Sequence, residues 1–528
     1  MTHFKTLLWL IATALLSVEV CAQCPVNASA DPNTINQGGT SALTATGAIN
    51  YTWSPATGLS GTTGATVDAS PSVTTTYTVT GMCPWISVAT GYRHALGVLY
   101  DGTLWSWGNN TSGQLGTGGT SPSSVPVQVG SDNDWSTVAA GNYHSLAIKT
   151  NGTLWAWGEN LYGQLGEGSN QYELLPVQVG SDTDWEQVSA GSRHTVALRT
   201  NGTLWAWGDN TAGQLGDGTN TPQTAPHQSG TANDWASIDA QGFHSMALKD
   251  NGTLWTWGDN TYGQLGDGTG ANQNAPVQIS ALGACSTMTT GYYYGMAIKS
   301  DGTLWGWGNN AAGQLGQGTD LQELSPIQVG FANDWSTIDG GFFHTQATRT
   351  DDSRWAWGEN VLGELGTGDN VSQSSPVQAG TDWAFVMAGN GWSFGSHDDG
   401  QLLSWGGGGD GNLGNGSTSD LNTPGPVTGS SGSANVTVIV IPISVEEVAN
   451  TITFSLAPNP ASDRVLLRIG NGSEGTAYSV ADHFGRIVLR GTVRSDEESI
   501  DISSLQAGAY IFQVEVHHQQ ARARLVVR

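Results

Sequence analysis

The feature that most constrains this chain is a Trp-Gly pair recurring at a fixed interval. It stands at Trp107-Gly108, Trp157-Gly158, Trp207-Gly208, Trp257-Gly258, Trp307-Gly308 and Trp357-Gly358, each 50 residues after the last, and 48 residues later at Trp405-Gly406. A fixed period of this length marks units too small to bury their own faces, so each must stack on its neighbours.

One unit shows what each contributes. Residues 135–140 read as a short strand. His144 to Lys149 alternates, with Leu146 and Ile148 on one face. Asn151-Gly152 is a strong hairpin signal, and Thr153 to Trp157 is the returning strand. Pro176 to Val179 is a fourth. The turn recurs at Asp101-Gly102, Asn201-Gly202, Asn251-Gly252, Asp301-Gly302 and Asp399-Gly400. Four strands per unit and seven units predict an all-β chain built around a seven-bladed β-propeller over residues 85–428. On the returning strand Trp155 and Trp157 share one face, and Leu154 and Ala156 the other. The Ala156 position holds Ser106, Ala206, Thr256, Gly306, Ala356 and Ser404, all small, so indoles of one blade are expected to nest on small residues of the next. Gly-Gln-Leu-Gly follows each of the first five pairs, varied to Gly363-Glu-Leu-Gly366 and Gly411-Asn-Leu-Gly414. It lacks the Lys and the helix of a phosphate loop.

Composition adds bounds. The net charge is −27, which disfavours nucleic acid as a partner. Lys5, the apolar run Leu7 to Val20 and Val20-Cys21-Ala22 read as a secretory signal peptide over residues 1–22, and no other segment is apolar enough to span a bilayer. Export permits disulfides, and Cys24 and Cys83 bracket a small domain that a bridge between them would close. Cys285 replaces a unit-initiating Trp and is read as a buried small hydrophobe.

Residues 23–83, rich in Thr, Ser and Gly with β-prone runs such as Tyr51 to Trp53 and Thr76 to Thr80, read as a small β-sandwich. They resemble the immunoglobulin-like or polycystic-kidney-disease-type modules of secreted bacterial proteins. The pattern Gly-x-x-His-Ser/Thr-x-Ala-Leu, Asp/Asn-Gly-Thr-Leu-Trp-x-Trp-Gly-x-Asn and Gly-Gln-Leu-Gly closely resembles the regulator of chromosome condensation repeat, which implies a seven-bladed ring. Tyr294 and Trp392 depart from its His, and Arg354 from its strand Leu. Ring closure is open: Val436 to Ile441 would supply a closing strand, or the first and last units would share a blade. Residues 429–451 read as a linker beginning Gly/Ser-rich. Residues 452–528, with Ala457-Pro-Asn-Pro460, a turn at Asp482 to Arg486 and the strand ending Arg528, resemble the β-sandwich C-terminal sorting domain of the type IX secretion system. That resemblance implies passage through this machinery in a Gram-negative bacterium of the Bacteroidetes kind, to the outside or the outer cell surface.

Chemistry-bearing candidates are few. His94, His144, His194, His244 and His344 would ring a channel, but equivalent positions on separate blades stand too far apart for one metal ion, so a structural role is expected. Asp132, Asp134, Asp182, Asp184, Asp217 and Asp267 match no calcium loop spacing and read as a solvated acidic face. Ser393 and His397 are neighbours in sequence without a triad pattern, and neither a cofactor fingerprint nor a catalytic set stands out. Of activities within the resembled family, nuclear nucleotide exchange does not suit an exported protein. Ultraviolet sensing lacks its Trp, replaced here by Tyr92, Asn142, Ser192, Tyr292 and Phe342. A secreted bacterial propeller that inhibits β-lactamases through its face loops is the nearer parallel, as a class. The expectation is a secreted or surface, non-enzymatic binding protein with no cofactor. Its ligand would be an extracellular protein or glycan, met by the stretches Gly118 to Val125, Ser169 to Leu175, Gly268 to Ala275 and Thr319 to Ser325. An extracellular polysaccharide-active enzyme, with two or three carboxylates of shifted pKa in the central funnel, is the alternative. A structural matrix protein is a third.

Overall fold

A computed structural model describes residues 26–397, 400–429, 431–442, 454–469, 475–516 and 519–528. The expected signal peptide and Cys24 lie outside them. The chain divides into two compact units, one ending at Ile441 and one beginning at Pro442.

The first unit contains seven four-stranded antiparallel sheets, each a simple meander from one contiguous stretch. Blade one begins with Trp85–Thr90 and blade seven ends with Leu421–Pro426. Blade two is Trp135–Ala140, His144–Lys149, Leu154–Gly158 and Glu173–Gln178. Its hairpin needs glycine on two counts. Gly152 has φ 77°, and a Cβ there would stand 2.1 Å from the carbonyl oxygen of Thr183. Asn151 braces the turn by accepting from the Thr153 amide at 3.0 Å and hydroxyl at 2.7 Å.

The tryptophans join the blades. Leu146, Leu154, Ala156 and Leu165 of blade two share a core with Trp185, Val188 and Trp207 of blade three. The indole of Trp157 is fully buried and donates to the Gln114 carbonyl of the preceding blade at 2.9 Å. The bond repeats from Trp207, Trp257, Trp307 and Trp357 to Gln164, Gln214, Gln264 and Gln314. Truncating one such side chain to alanine costs about 3–5 kcal/mol. Trp107 makes the closing bond, to the Asn412 carbonyl of blade seven at 2.8 Å.

Neither expected mode of ring closure occurs. Blades one and seven each complete four strands from their own segments. Residues 431–441, assigned by composition to the linker, form one long strand, Ser431–Ile441, that leaves the propeller. It pairs antiparallel with Thr75–Met82 and parallel with Thr34–Asn36 in a sheet completed by Ile49–Ser54. Val438 and Val440 are buried there with Tyr77, Val79 and Trp53. Its Gly/Ser start is a strand because Thr80 to Met82 supply the backbone partners of Ser431 to Ser433. A second sheet of Asn27–Asp31, Ser41–Thr46 and Thr66–Ala69 completes this N-terminal module. Cys83 is fully buried and disulfide-bonded.

The second unit has a three-stranded sheet, Phe454–Ala457, Arg464–Ile469 and Glu497–Asp501. Its four-stranded sheet is Ile487–Thr492, Ala477–Ala481, Gly508–Val516 and Gln519–Val527. Val465, Leu467, Val480, Phe512 and Leu525 form its core. Asp482 closes the turn to Arg486 by accepting from the Phe484 and Arg486 amides at 2.9 and 3.0 Å.

Candidate ligand-binding face

Register decides which loops meet. His144 opens the second strand of its blade opposite Gly158, which ends the third. The loop before the His and the loop after Trp-Gly therefore share one end of the ring. The innermost strands line the central channel, so the loops that follow them surround its mouth. Those loops carry the two variable residues of Gly-x-x-His. They are Tyr92 and Arg93, Asn142 and Tyr143, Ser192 and Arg193, Gly242 and Phe243, Tyr292 and Tyr293, Phe342 and Phe343, and Asn390 and Gly391.

The rings form one connected group. Tyr292 stacks on Phe342, centroids 3.8 Å apart at 27°. Tyr293 contacts Tyr292 at 4.6 Å and Tyr262 at 4.8 Å. Phe342 reaches Tyr92 at 6.1 Å, and Tyr92 reaches Tyr143 at 5.8 Å. Phe243 joins through Tyr292 at 6.4 Å. Tyr262 is exposed and the others are half-buried rather than sealed into a core. Burial pushes the Tyr293 hydroxyl up to about 12, so it remains a donor. Tyr92, Tyr292 and Phe342 also border the channel cavity, of about 180 Å³.

Two carboxylates face that cavity, Asp239 and Asp339. Burial raises both, Asp339 to about 8, with the Asp239 charge adding to it. Both are engaged by a neighbouring blade. Asp239 accepts from the Thr290 amide at 2.6 Å and hydroxyl at 2.9 Å, and from Ser189 at 3.2 Å. Asp339 accepts from the Ala388 amide at 2.6 Å. Ser189 and Thr289, at the same strand position, likewise accept from the Ala240 and Gly340 amides at 3.0 and 2.9 Å. Four successive blades are thus stapled to the next through one side-chain position.

The repeated histidines form a second staple. His94 meets Ser145 of the next blade at 2.9 Å, and Ser145 donates to the Gln114 carbonyl at 2.7 Å. The hydroxyl donates onward, so the His contact uses an Nε2–H donor. His144, His194 and His344 repeat it with Thr195, Ser245 and Ser393. Tyr294 reaches Thr345 at 2.9 Å instead. Gly295 stands where His244 would find its hydroxyl, and Ala95 where Trp392 would. Burial lowers His94, His144, His194 and His344 to about 3 and His244 to about 4. The Ser393–His344 contact therefore belongs to a repeated structural latch, and His397 bonds the Asp382 carbonyl elsewhere.

The acidic residues separate. Asp132 and Asp134 pair with Lys149 at 2.6 and 2.9 Å, and its ammonium lies over Trp135 and Trp155 at 4.7 and 5.1 Å. Asp182 and Asp184 hold Arg199 over Trp185 and Trp205 in the same way. Asp217 and Asp267 brace their own loops, bonding Thr219 and Thr269. Cys285 is buried and unbridged, its thiol raised to about 11 by burial. Arg354 is fully buried and donates to Gln346, Leu365, Gly366 and Ala379.

The aromatic face was readable only in part. Tyr92, Tyr292 and Phe342 stand out as non-Trp residues at one repeat position, but only the register shows that seven such positions converge. The cross-blade acceptors carry no sequence signal beyond Ser, Asp, Thr and Asp at one strand position.

Comparison with known proteins agrees with this architecture. An RCC1-like domain matches residues 34–288. Regulator of chromosome condensation (RCC1) repeats match 286–314, 301–347 and 399–441. A secretion system C-terminal sorting domain matches 455–528. Among solved structures, human WBSCR16 is similar at 23% identity and TM-score 0.56, over 62% of this chain and 94% of that one. Prp20p from Saccharomyces cerevisiae, whose binding to Gsp1p and histones was described with its structure, is similar at 22% and 0.55, over 61% and 85%. Among curated proteins none matches the chain in sequence. Repeats, ring and neighbours together define a propeller of the regulator of chromosome condensation class. The chain belongs to that repeat family, with a type IX secretion sorting domain at its C-terminal end. It is secreted or held at the outer cell surface of a Gram-negative bacterium. Among the described residues no helix is long and apolar enough to cross a membrane.

Proposed function

We propose that this is a non-enzymatic recognition protein whose propeller takes a protein or glycan ligand at the end bearing the aromatic loops. One observation carries the reading: a connected group of half-buried rings, Tyr92, Tyr143, Phe243, Tyr292, Tyr293 and Phe342, surrounds the channel mouth on a rigid scaffold. Such rings supply contact area at low entropic cost. The stretches after Trp-Gly, Gly118 to Val125 among them, lie at the outer rim of the same end and extend the surface. The polysaccharide-active alternative has its own support in the raised channel carboxylates, Asp239 and Asp339. Their oxygens serve as cross-blade acceptors, which favours a structural role. The sorting domain would engage the secretion machinery, and a Cys24–Cys83 bridge would close the N-terminal module.

The test immobilises the exported chain and measures binding of purified extracellular proteins and polysaccharides to wild type and to a Tyr92→Ser/Phe342→Ser variant. Saturable binding lost in a variant that melts as wild type supports the reading. Binding that survives both substitutions removes the face from it. Concentration-dependent self-association without any ligand favours a structural role instead.

A further inference from the structure

We infer that the ligand of the aromatic face is a neutral carbohydrate chain, an inference that rests on the recognition reading above. Three features of the face favour this chemistry. The first is the shape and wetness of the ring group. A sugar ring is apolar across its C–H face and polar around its edge, so it fits flat exposed rings flanked by fixed hydrogen-bonding groups. A stable protein interface of about 800 Å² per side has a dry, close-packed centre. Here the centre is the mouth of a channel, and Asn142 and Asn390 interrupt the rings around it.

The second feature is the partner beside each outer ring. The residue after Trp-Gly is bonded, backbone to backbone, to the second variable residue of the Gly-x-x-His loop. The Glu159 amide donates to the Tyr143 carbonyl at 2.8 Å, Asp259 to Phe243 at 2.9 Å and Glu359 to Phe343 at 2.9 Å. Alternate blades two, four and six therefore each tether the backbone of an acidic residue to that of a ring-bearing loop residue, and blade five tethers Asn309 to Tyr293 by the same backbone bond at 2.9 Å. Of the acidic side chains, Asp259 and Glu359 stay partly exposed while Glu159 is buried. A ring with an adjacent hydroxyl acceptor is the pair a pyranose needs, one group for its face and one for its edge.

The third feature is charge. Arg93 and Arg193 stand on the same end among the carboxylates. Arg93 pairs with Asp410 at 3.6 Å and Arg193 lies over Tyr162 at 4.5 Å. Fixed charges of both signs discriminate against uniform polyanions and polycations, and the net charge of −27 further repels anionic polymers. Because the rings run from the mouth out to Tyr262, they offer consecutive contacts to a polymer rather than a single pocket for a monosaccharide.

The experiment is affinity electrophoresis of the exported chain through gels containing xyloglucan, galactomannan, mixed-linkage β-glucan or soluble starch, with alginate as the anionic control. Tyr292→Ala and Tyr293→Ala remove rings. Glu359→Gln removes one carboxylate with little risk to folding. Thr231→Ala alters an exposed side chain at the opposite end. Retardation by at least one neutral polymer, weakened about tenfold or more by a ring substitution and measurably by Glu359→Gln but not by Thr231→Ala, is expected. Retardation by alginate alone, by none of the neutral polymers, or equally in all variants overturns the inference. If the sugars fail while a protein ligand sensitive to Tyr92→Ser/Phe342→Ser is captured, recognition stands and its carbohydrate form falls. Silence in both assays removes both.

Discussion

Acidification should loosen the propeller through its buried histidines, and one of them can be isolated. His194 is fully buried; burial first, then the charges of His144 and His244, hold it at about 3 against an ordinary value of 6.5. Between pH 7 and pH 5 the unfolded chain binds a proton at this residue and the folded chain does not. Stability is therefore unaffected above about 6.5 and falls as pH drops below it, continuing toward about 3. At about 1.4 kcal/mol per unit, the interval from 6.5 to 5 is worth about 2 kcal/mol. His94, His144, His244 and His344 act in the same direction, giving about 10 kcal/mol for the five. Asp339, raised to about 8, and Glu364, raised to about 7, act oppositely because they gain protons on folding, returning about 2–3 kcal/mol each over the same range. These groups together give a loss of about 5 kcal/mol, which Asp239, also raised by burial, makes smaller. His194→Gln keeps a donor toward Ser245 but cannot titrate. Urea unfolding followed by tryptophan fluorescence at both pH values should show the variant losing about 2 kcal/mol less than wild type on acidification. Equal losses in the two proteins would refute the argument that His194 is a buried neutral donor.

Two further experiments test the irregular sixth blade. Glu364→Gln should stabilise by about 2–3 kcal/mol at pH 8, because burial raises this carboxyl to about 7 and ionising it costs stability above about 4.5; by pH 4 the gain should vanish in the same unfolding assay. Arg354→Leu alone should cost about 3 kcal/mol, since it strips Gln346 of its 3.0 Å donor. The double change with Gln346→Leu should return to within about 1 kcal/mol of wild type by restoring the apolar pair that Leu146 and Leu154 form in blade two.

The sequence displayed whatever a period can display. Trp-Gly spacing, the Asn-Gly turn and the small residues opposite the indoles led to seven meander blades, because each is a local pattern repeated with its register intact. What depended on distant pairing was hidden. Ser431 to Ala434 look like a flexible joint by composition, and only the presence of Val79 to Met82 as partners makes them a strand. The Gly-x-x-His loops showed aromatic residues one unit at a time, but their convergence is a property of the closed ring. Arg354 looked like an isolated departure, although Gln346 on the adjacent strand had changed with it.

The return of Ser431–Ile441 to the N-terminal sheet also has a mechanical consequence. The chain enters blade one from Thr75–Met82 and leaves blade seven into the strand paired with it, so both ends of the ring are clamped in one sheet. A pull from the C-terminal side acts along a strand whose eight partners, Thr75 to Met82, resist together in shear. Blade seven feels that tension only after the clamp slips. The ring is thereby protected where an open-ended propeller would peel, at the seam between its last blade and its first.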